Sequence, residues 1–371
     1  MNVADAGLKG DAGKTAAKQI KGKDPSFWAL VSIMLVETAF TLSLCASVVS
    51  GAPIGVDYRF HLAVAEAWAK GLNGMFSEVV MRVNHYPYFS VLHLLLVPNV
   101  WLGCSDLFAM FLQVFFYTAI FGTVLLMALG HDGANGAMWS GLLLFGCMAF
   151  TDSAIQVRPQ TLDMLLLPIA LGFYLSGKKT SFLASTLALA YNHGFASLVL
   201  IWVLYLVKLR DRQWLKTTIL FGVLILPIMI PSLLYLPGAF SKWGGTDASS
   251  QETLFWQSPL LYSLFYLGAL SLGFPVFLNA LAKWRSQDGY ARALCLVVAG
   301  SLIMLPLWPD RWLQYQAIPF ALLTANWLTK RTRRETVLLA VPLVACFLLY
   351  HANYWWVTAT GNWDVPLNLV W

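Results

Sequence analysis

Apolar stretches recur along almost the entire chain, near 27–49, 88–103, 107–130, 138–151, 160–177, 181–207, 214–237, 258–282, 292–309, 313–329 and 336–350, separated by short charged or Gly/Pro-bearing breaks. Backbone N–H and C=O groups immersed in lipid must be paired within the protein, and an isolated apolar stretch achieves this by coiling into a helix. Several stretches reach the ~20 residues needed to cross a ~30 Å hydrocarbon layer. Charged residues make up 11% of the chain, against about 25% in soluble domains, so a water-facing surface of ordinary size is excluded. The expected fold class is all-α, a polytopic transmembrane bundle of about 10–12 membrane helices.

Residues 1–26 are polar and carry Lys9, Lys14, Lys18, Lys21 and Lys23. They lack an apolar core followed by a small-residue cleavage site, and read as a cytosolic tail ahead of an uncleaved first span. Residues 27–371 are expected to form one transmembrane domain. Cys45, Cys104, Cys147, Cys295 and Cys346 lie in or beside apolar stretches without CxxC spacing, which reads as packing. The formal charge of +6 collects at segment ends, so it reports topology and not nucleic-acid binding.

Eighteen of the 24 Lys and Arg residues fall in five clusters: the tail, Lys178-Lys179, Lys208 to Lys216, Lys283 to Arg292, and Lys330 to Arg334. The positive-inside rule places all five in the cytosol. Arg59, Lys70, Arg82, Arg158, Lys242 and Arg311 are left for the far side. Keeping Lys178-Lys179 and Lys208 together requires that 181–207 be split at Tyr191-Asn192-His193-Gly194 into two short spans. The same parity makes 88–103 a non-spanning or re-entrant helix. A model with 88–103 spanning and 181–207 unbroken competes, at the cost of one misplaced lysine pair. On the first reading, 50–87, 151–160, 192–194, 238–257, 309–313 and the segment from His351 share the extracytoplasmic face.

The loop 50–87 holds the densest polar signal. Asp57 follows Pro53 and Gly55, where it can cap a short surface helix ending at Gly71. The same carboxylate, just beyond the first span, can instead serve as a general base toward a hydroxyl. His61 lies one turn further on. Asn84-His85-Tyr86-Pro87-Tyr88 leads into the next apolar segment, Gln156-Val157-Arg158-Pro159-Gln160-Thr161-Leu162-Asp163 opens another, and Asp310-Arg311-Trp312 to Pro319 opens a later one. Glu37 sits inside the first span, where a carboxylate is expensive and faces a partner or a polar cavity. Most of the aromatics near segment ends, Trp312 among them, read as an interfacial belt.

This order of elements resembles the membrane glycosyltransferases of the GT-C fold, related to the dolichyl-phosphate-mannose mannosyltransferase-like superfamily, which take a sugar from a polyprenyl-phosphate carrier. Asp57 stands where that family has an acidic residue after the first span. Tyr86-Pro87, Arg158 with Asp163, and Arg311-Trp312 with Pro319 follow in the family's order. Tyr88 replaces a second proline, Trp312 a tyrosine, and the usual acidic pair is the single Asp57. The Asn192-His193-Gly194 turn falls where many members carry a Lys-Gly-Pro-like turn.

The resemblance implies transfer of a sugar from a polyprenyl-phosphate donor to a hydroxyl acceptor at the extracytoplasmic face, with inversion. Asp57 would be the base, Arg158, Arg311 and His193 would hold the donor phosphate, and His61, His85, Tyr86, Asp163 and Glu37 would be secondary candidates. It implies a lipid and membrane partner, no nucleic acid, a plasma-membrane or ER-type location, and no cofactor beyond a divalent cation that stays open. Other readings of the same residues remain: snorkelling anchors for the arginines, and a polar helix turn for His193. Two further function classes also stand, a transporter or flippase and a non-catalytic subunit of a membrane complex. The former would favour internal repeats, and none is evident.

Overall fold

The structure, a computed structural model, describes residues 58–71, 90–154, 156–243, 258–305 and 309–332, with scattered positions in 28–35 and 334–345. Asp57, His85, Tyr86, Glu37, the tail 1–26 and most of 336–371 lie outside the described residues, as does the side chain of Arg311. All regular structure among the described residues is helical. The α-helices are α1 (Tyr58–Ala69), α2 (Val91–Leu102), α3 (Ser105–Phe145), α4 (Met148–Ala154), α5 (Pro159–Leu175), α6 (Lys179–His193), α7 (Phe195–Leu206), α8 (Arg212–Trp243), α9 (Pro259–Leu267), α10 (Gly273–Ala282), α11 (Gly289–Ser301) and α12 (Pro309–Thr329).

Both ambiguous stretches resolve in a way that fits the parity argument. The 181–207 region breaks at Gly194, whose φ of 61° and ψ of −129° belong to a region open essentially to glycine alone. The two limbs fold back on each other: the Thr186 hydroxyl meets the Tyr205 hydroxyl at 2.6 Å, and Phe182 packs on Tyr205 with ring centroids 4.9 Å apart. Helix α2 has 12 residues, about 18 Å at 1.5 Å per residue, the same length as the short limb α7. Ser90 caps its start by accepting from Leu92 N–H at 3.2 Å, and Gly103, with φ 66°, closes its end.

The stretches 107–130 and 138–151 form the two limbs of α3, which turn at Gly133, where the backbone leaves helical geometry with φ 70° and ψ −167°, and fold back so that the Phe121 and Phe145 rings lie 4.6 Å apart; the chain then breaks at Gly146 before α4. The stretch 258–282 is interrupted by a 3-10 turn over Gly268–Leu272. These two breaks pack on one another: a Cβ at Gly268 would stand 2.5 Å from the Gly146 carbonyl oxygen, so the contact requires glycine. Among the described residues, two helices, over Asp106–Phe145 and Arg212–Ile230, are long and apolar enough to cross a membrane.

Helix α12 is the central strut, packed along α3 and against α10 and α11. Its core face is filled by Trp312, Leu313, Tyr315, Ile318, Phe320 and Leu323, all nearly or fully buried. Trp312 is therefore an interior residue and not part of an interfacial belt: its indole N–H donates to Ser301 Oγ at 3.1 Å and its ring packs against Phe274 and Phe320. Position near a segment end suggested a belt, but that position is set inside the bundle by the neighbouring α11. Cys147 and Cys295 are buried and Cys104 is partly buried, in keeping with packing roles.

The helix ends sort into two groups. At one end Asp132 accepts from Asn326 at 2.6 Å, His131 stacks on Tyr290 at 4.2 Å, and Lys330 pairs with Asp288 at 3.1 Å. The same sort of rim contact joins Lys179 to Gln213 and sets Lys208 over the rings of Tyr174 and Trp214. The opposite end of α5, α6 and α12 gathers Arg158, Asn192, His193 and Tyr315. Segments assigned to one face by charge parity therefore lie together in space.

Candidate functional site

The site is built on the first turn of α5. A residue preceding proline is held extended, and Arg158, with φ −145° and ψ 163°, takes that form ahead of Pro159 at the first helical position. Thr161 pins the incoming loop by donating to the carbonyls of Ser153, at 2.7 Å, and Gln156, at 2.5 Å. The Arg158 guanidinium is buried and donates from Nη2 to Ser153 Oγ at 3.2 Å. One turn on, Asp163 points inward with no exposure.

Three elements converge on that carboxylate. Asn192 Nδ2, from α6, donates to Asp163 Oδ1 at 2.8 Å and to the Pro159 carbonyl at 2.6 Å. Ser197 Oγ, from α7, donates to Oδ2 at 2.7 Å. The Tyr315 hydroxyl, from α12, donates to Oδ2 at 2.8 Å. His193 Nδ1 lies 3.2 Å from Oδ2 and 2.7 Å from the Tyr315 hydroxyl. The network extends to α2, because Asn192 Oδ1 accepts from Ser90 Oγ at 2.8 Å. An uncompensated carboxylate in such an interior is strongly unfavourable, and this set of donors is what makes it tolerable.

Beside this knot lies a histidine pair. His61 Nδ1 and His93 Nε2 are 2.9 Å apart, both rings are buried, and Trp68 packs edge-on against His93. Helix α1 packs along α2 and is largely buried, because Tyr58, Leu62, Ala65 and Trp68 form an apolar face at helical spacing. Burial holds the His61 imidazole far below its ordinary range, at about 2, with His93, His193 and Arg158 adding positive-charge repulsion. His61 is therefore neutral at physiological pH.

The structure thus brings together Arg158, Asp163, His193 and His61. The backbone of Arg311 opens α12 one turn before Tyr315. Arg59, in contrast, is an exposed partner of Asp106 at 3.3 Å. Sequence reasoning passed over His93, Ser90, Ser197 and Tyr315 as contributors. The available signal was their position: each falls within a few residues of a segment start or of the Asn192-His193-Gly194 turn, on the face that parity had already assigned. Among the described residues, no three His, Cys, Asp or Glu side chains converge as a metal site.

The chain matches the EpsG family over residues 100–364, well over half its length. No curated protein gives a significant match. Among solved structures, ArnT from Cupriavidus metallidurans in the apo state aligns with a TM-score of 0.55 at 17% identity, covering 84% of this chain and 62% of ArnT. The same protein bound to undecaprenyl phosphate gives 0.56 at 16% identity, covering 85% and 64%. The chain spans less than two thirds of ArnT's length. These likenesses bear out the all-helical, GT-C-type fold that the sequence leads one to expect.

Proposed function

The chain belongs to the EpsG family, and on that premise we propose that it is an integral membrane glycosyltransferase using a polyprenyl-phosphate-linked sugar. The observation that carries this reading is the convergence of Arg158 and His193, with the start of α12 that bears Arg311, at one end of a bundle that shares its fold with a protein solved with undecaprenyl phosphate. A phosphate monoester leaving group carries concentrated negative charge, and buried guanidinium and imidazole donors stabilise it through charge-assisted hydrogen bonds.

In the proposed reaction the acceptor hydroxyl oxygen attacks the anomeric carbon, the bond from that carbon to the phosphate oxygen breaks, and configuration inverts. Asp57 takes the hydroxyl proton, and Arg158, Arg311 and His193 hold the departing lipid phosphate. The site faces away from the cytosol and the basic rim of Lys179, Lys208 and Lys330 faces it, in accord with the positive-inside rule.

The test is transfer by the purified chain from a polyprenyl-phosphate sugar, with Asp57→Asn and Arg158→Gln as variants. Loss of turnover in Asp57→Asn with donor binding retained, and loss of donor binding in Arg158→Gln, are the expected results. Wild-type turnover in Asp57→Asn would remove Asp57 from the role of base.

A further inference from the structure

The hydrogen-bond geometry around Asp163 fixes more than a phosphate site requires. An ionised carboxylate brings no proton, so Ser197 and Tyr315 must donate to Oδ2. The single proton of Tyr315 is then in use, and its oxygen can only accept from His193 Nδ1, 2.7 Å away. Were Nδ1 bare, its lone pair would face Oδ2 at 3.2 Å in a fully buried setting, and one tyrosine proton would have to serve two acceptors. His193 therefore carries its proton on Nδ1. Its Nε2 makes no hydrogen bond to the described residues and is not one of the buried polar atoms sealed away without a partner.

We propose that Asp163 is a positioning residue that fixes His193 in the Nδ1–H form, stabilises the charged imidazolium, and so presents Nε2–H to the phosphate of a polyprenyl-phosphate lipid. This rests on the lipid-phosphate reading above and assigns Asp163 no contact with the lipid. A carboxylate on Nδ1–H is the arrangement that orients an imidazole and favours its cationic form. The groups that bear on His193 are Asp163 of α5, Tyr315 of α12 and His61 of α1, with Arg158 reaching the same corner and His93 of α2 acting through His61. Ser197 of α7 is uncharged, and the α8 contact of this turn is made by Tyr191, whose hydroxyl donates to the Leu224 carbonyl at 2.7 Å.

The test measures affinity for undecaprenyl monophosphate by the full chain in phosphatidylcholine nanodiscs at pH 7, together with the nitrogen NMR shifts of the His193 ring, which report where its protons sit. The variants are D163N, H193Q and the double variant. The wild-type ring is expected to carry a proton on Nδ1, and D163N to lose that fixed proton position and about tenfold in affinity. H193Q binds weakly, and adding D163N to it changes affinity less than about twofold.

If D163N weakens H193Q as much as it weakens the wild type, Asp163 acts as a structural tie and the proposal is overturned. Failure of the wild-type chain to bind the lipid at all would instead remove the lipid-phosphate reading, and this inference with it. Should D163N not accumulate, the wild-type ring is read alone: a proton on Nδ1 is expected, and a bare Nδ1 would overturn the proposal.

Discussion

The two ends of the bundle handle polar groups in opposite ways. At the Asp163 end, one fully buried carboxylate is met by donors from α5's neighbours α6, α7 and α12. At the other end, charges sit at the rim: Lys330 and Asp288 pair at 3.1 Å with both side chains about half exposed, and Lys208 rests over Tyr174 and Trp214. Groups of the first kind have no water to fall back on, so each hydrogen bond is obligatory and fixes geometry. Those of the second kind can exchange a partner for solvent, so they report which way the chain is threaded and contribute little individually. Chemistry that needs fixed geometry belongs at the first end.

Substitutions should separate the ends by magnitude. Asp163→Leu removes the acceptor shared by Asn192, Ser197 and Tyr315 inside the bundle, and should lower stability by about 3–5 kcal/mol, read as a large fall in thermal unfolding temperature in detergent. Next comes Gly194→Ala. The φ of 61° with ψ of −129° is strained for any residue with a Cβ, a cost of about 1–3 kcal/mol, and the shift of His193 should reduce lipid binding as well. A loss near zero would mean that the α6–α7 turn has another accessible geometry.

Acid should act on the buried histidine pair. His61 is neutral when folded, with its pKa depressed by burial to about 2 from an unfolded value of 6.5. Below pH 6.5 the unfolded chain takes up a proton that the folded chain does not, so stability falls with falling pH, by up to about 1.4 kcal/mol per unit. His61→Gln should flatten that part of the stability profile between pH 6.5 and 5. The smallest effect is expected at the rim: Lys330→Gln removes a half-exposed pair with Asp288 and should change stability by less than about 1 kcal/mol, with lipid binding unaltered. A rim variant that abolished binding would invert the comparison.

Much of this architecture is legible in the sequence because lipid makes helix the only economical form for an apolar stretch and because lysine placement records sidedness. The break at Gly194 and the shortness of 88–103 both follow from parity. Arg158, Asp163 and His193 are visible as polar residues at segment ends. What stays hidden is three-dimensional partnership. Nothing in the local pattern pairs His61 with His93, 32 residues apart, or Tyr315 with Asp163, 152 apart. The burial of α1 was equally hidden, since a 12-residue amphipathic helix reads alike whether its apolar face meets lipid or α2.

The central claim is that the buried polar end, and not the basic rim, receives a lipid phosphate. A density map of the full chain with undecaprenyl phosphate tests it directly. The account predicts phosphate within hydrogen-bond reach of Arg158 and His193 Nε2. Phosphate found instead among Lys179, Lys208 and Arg210, with the Arg158 corner empty, would contradict it.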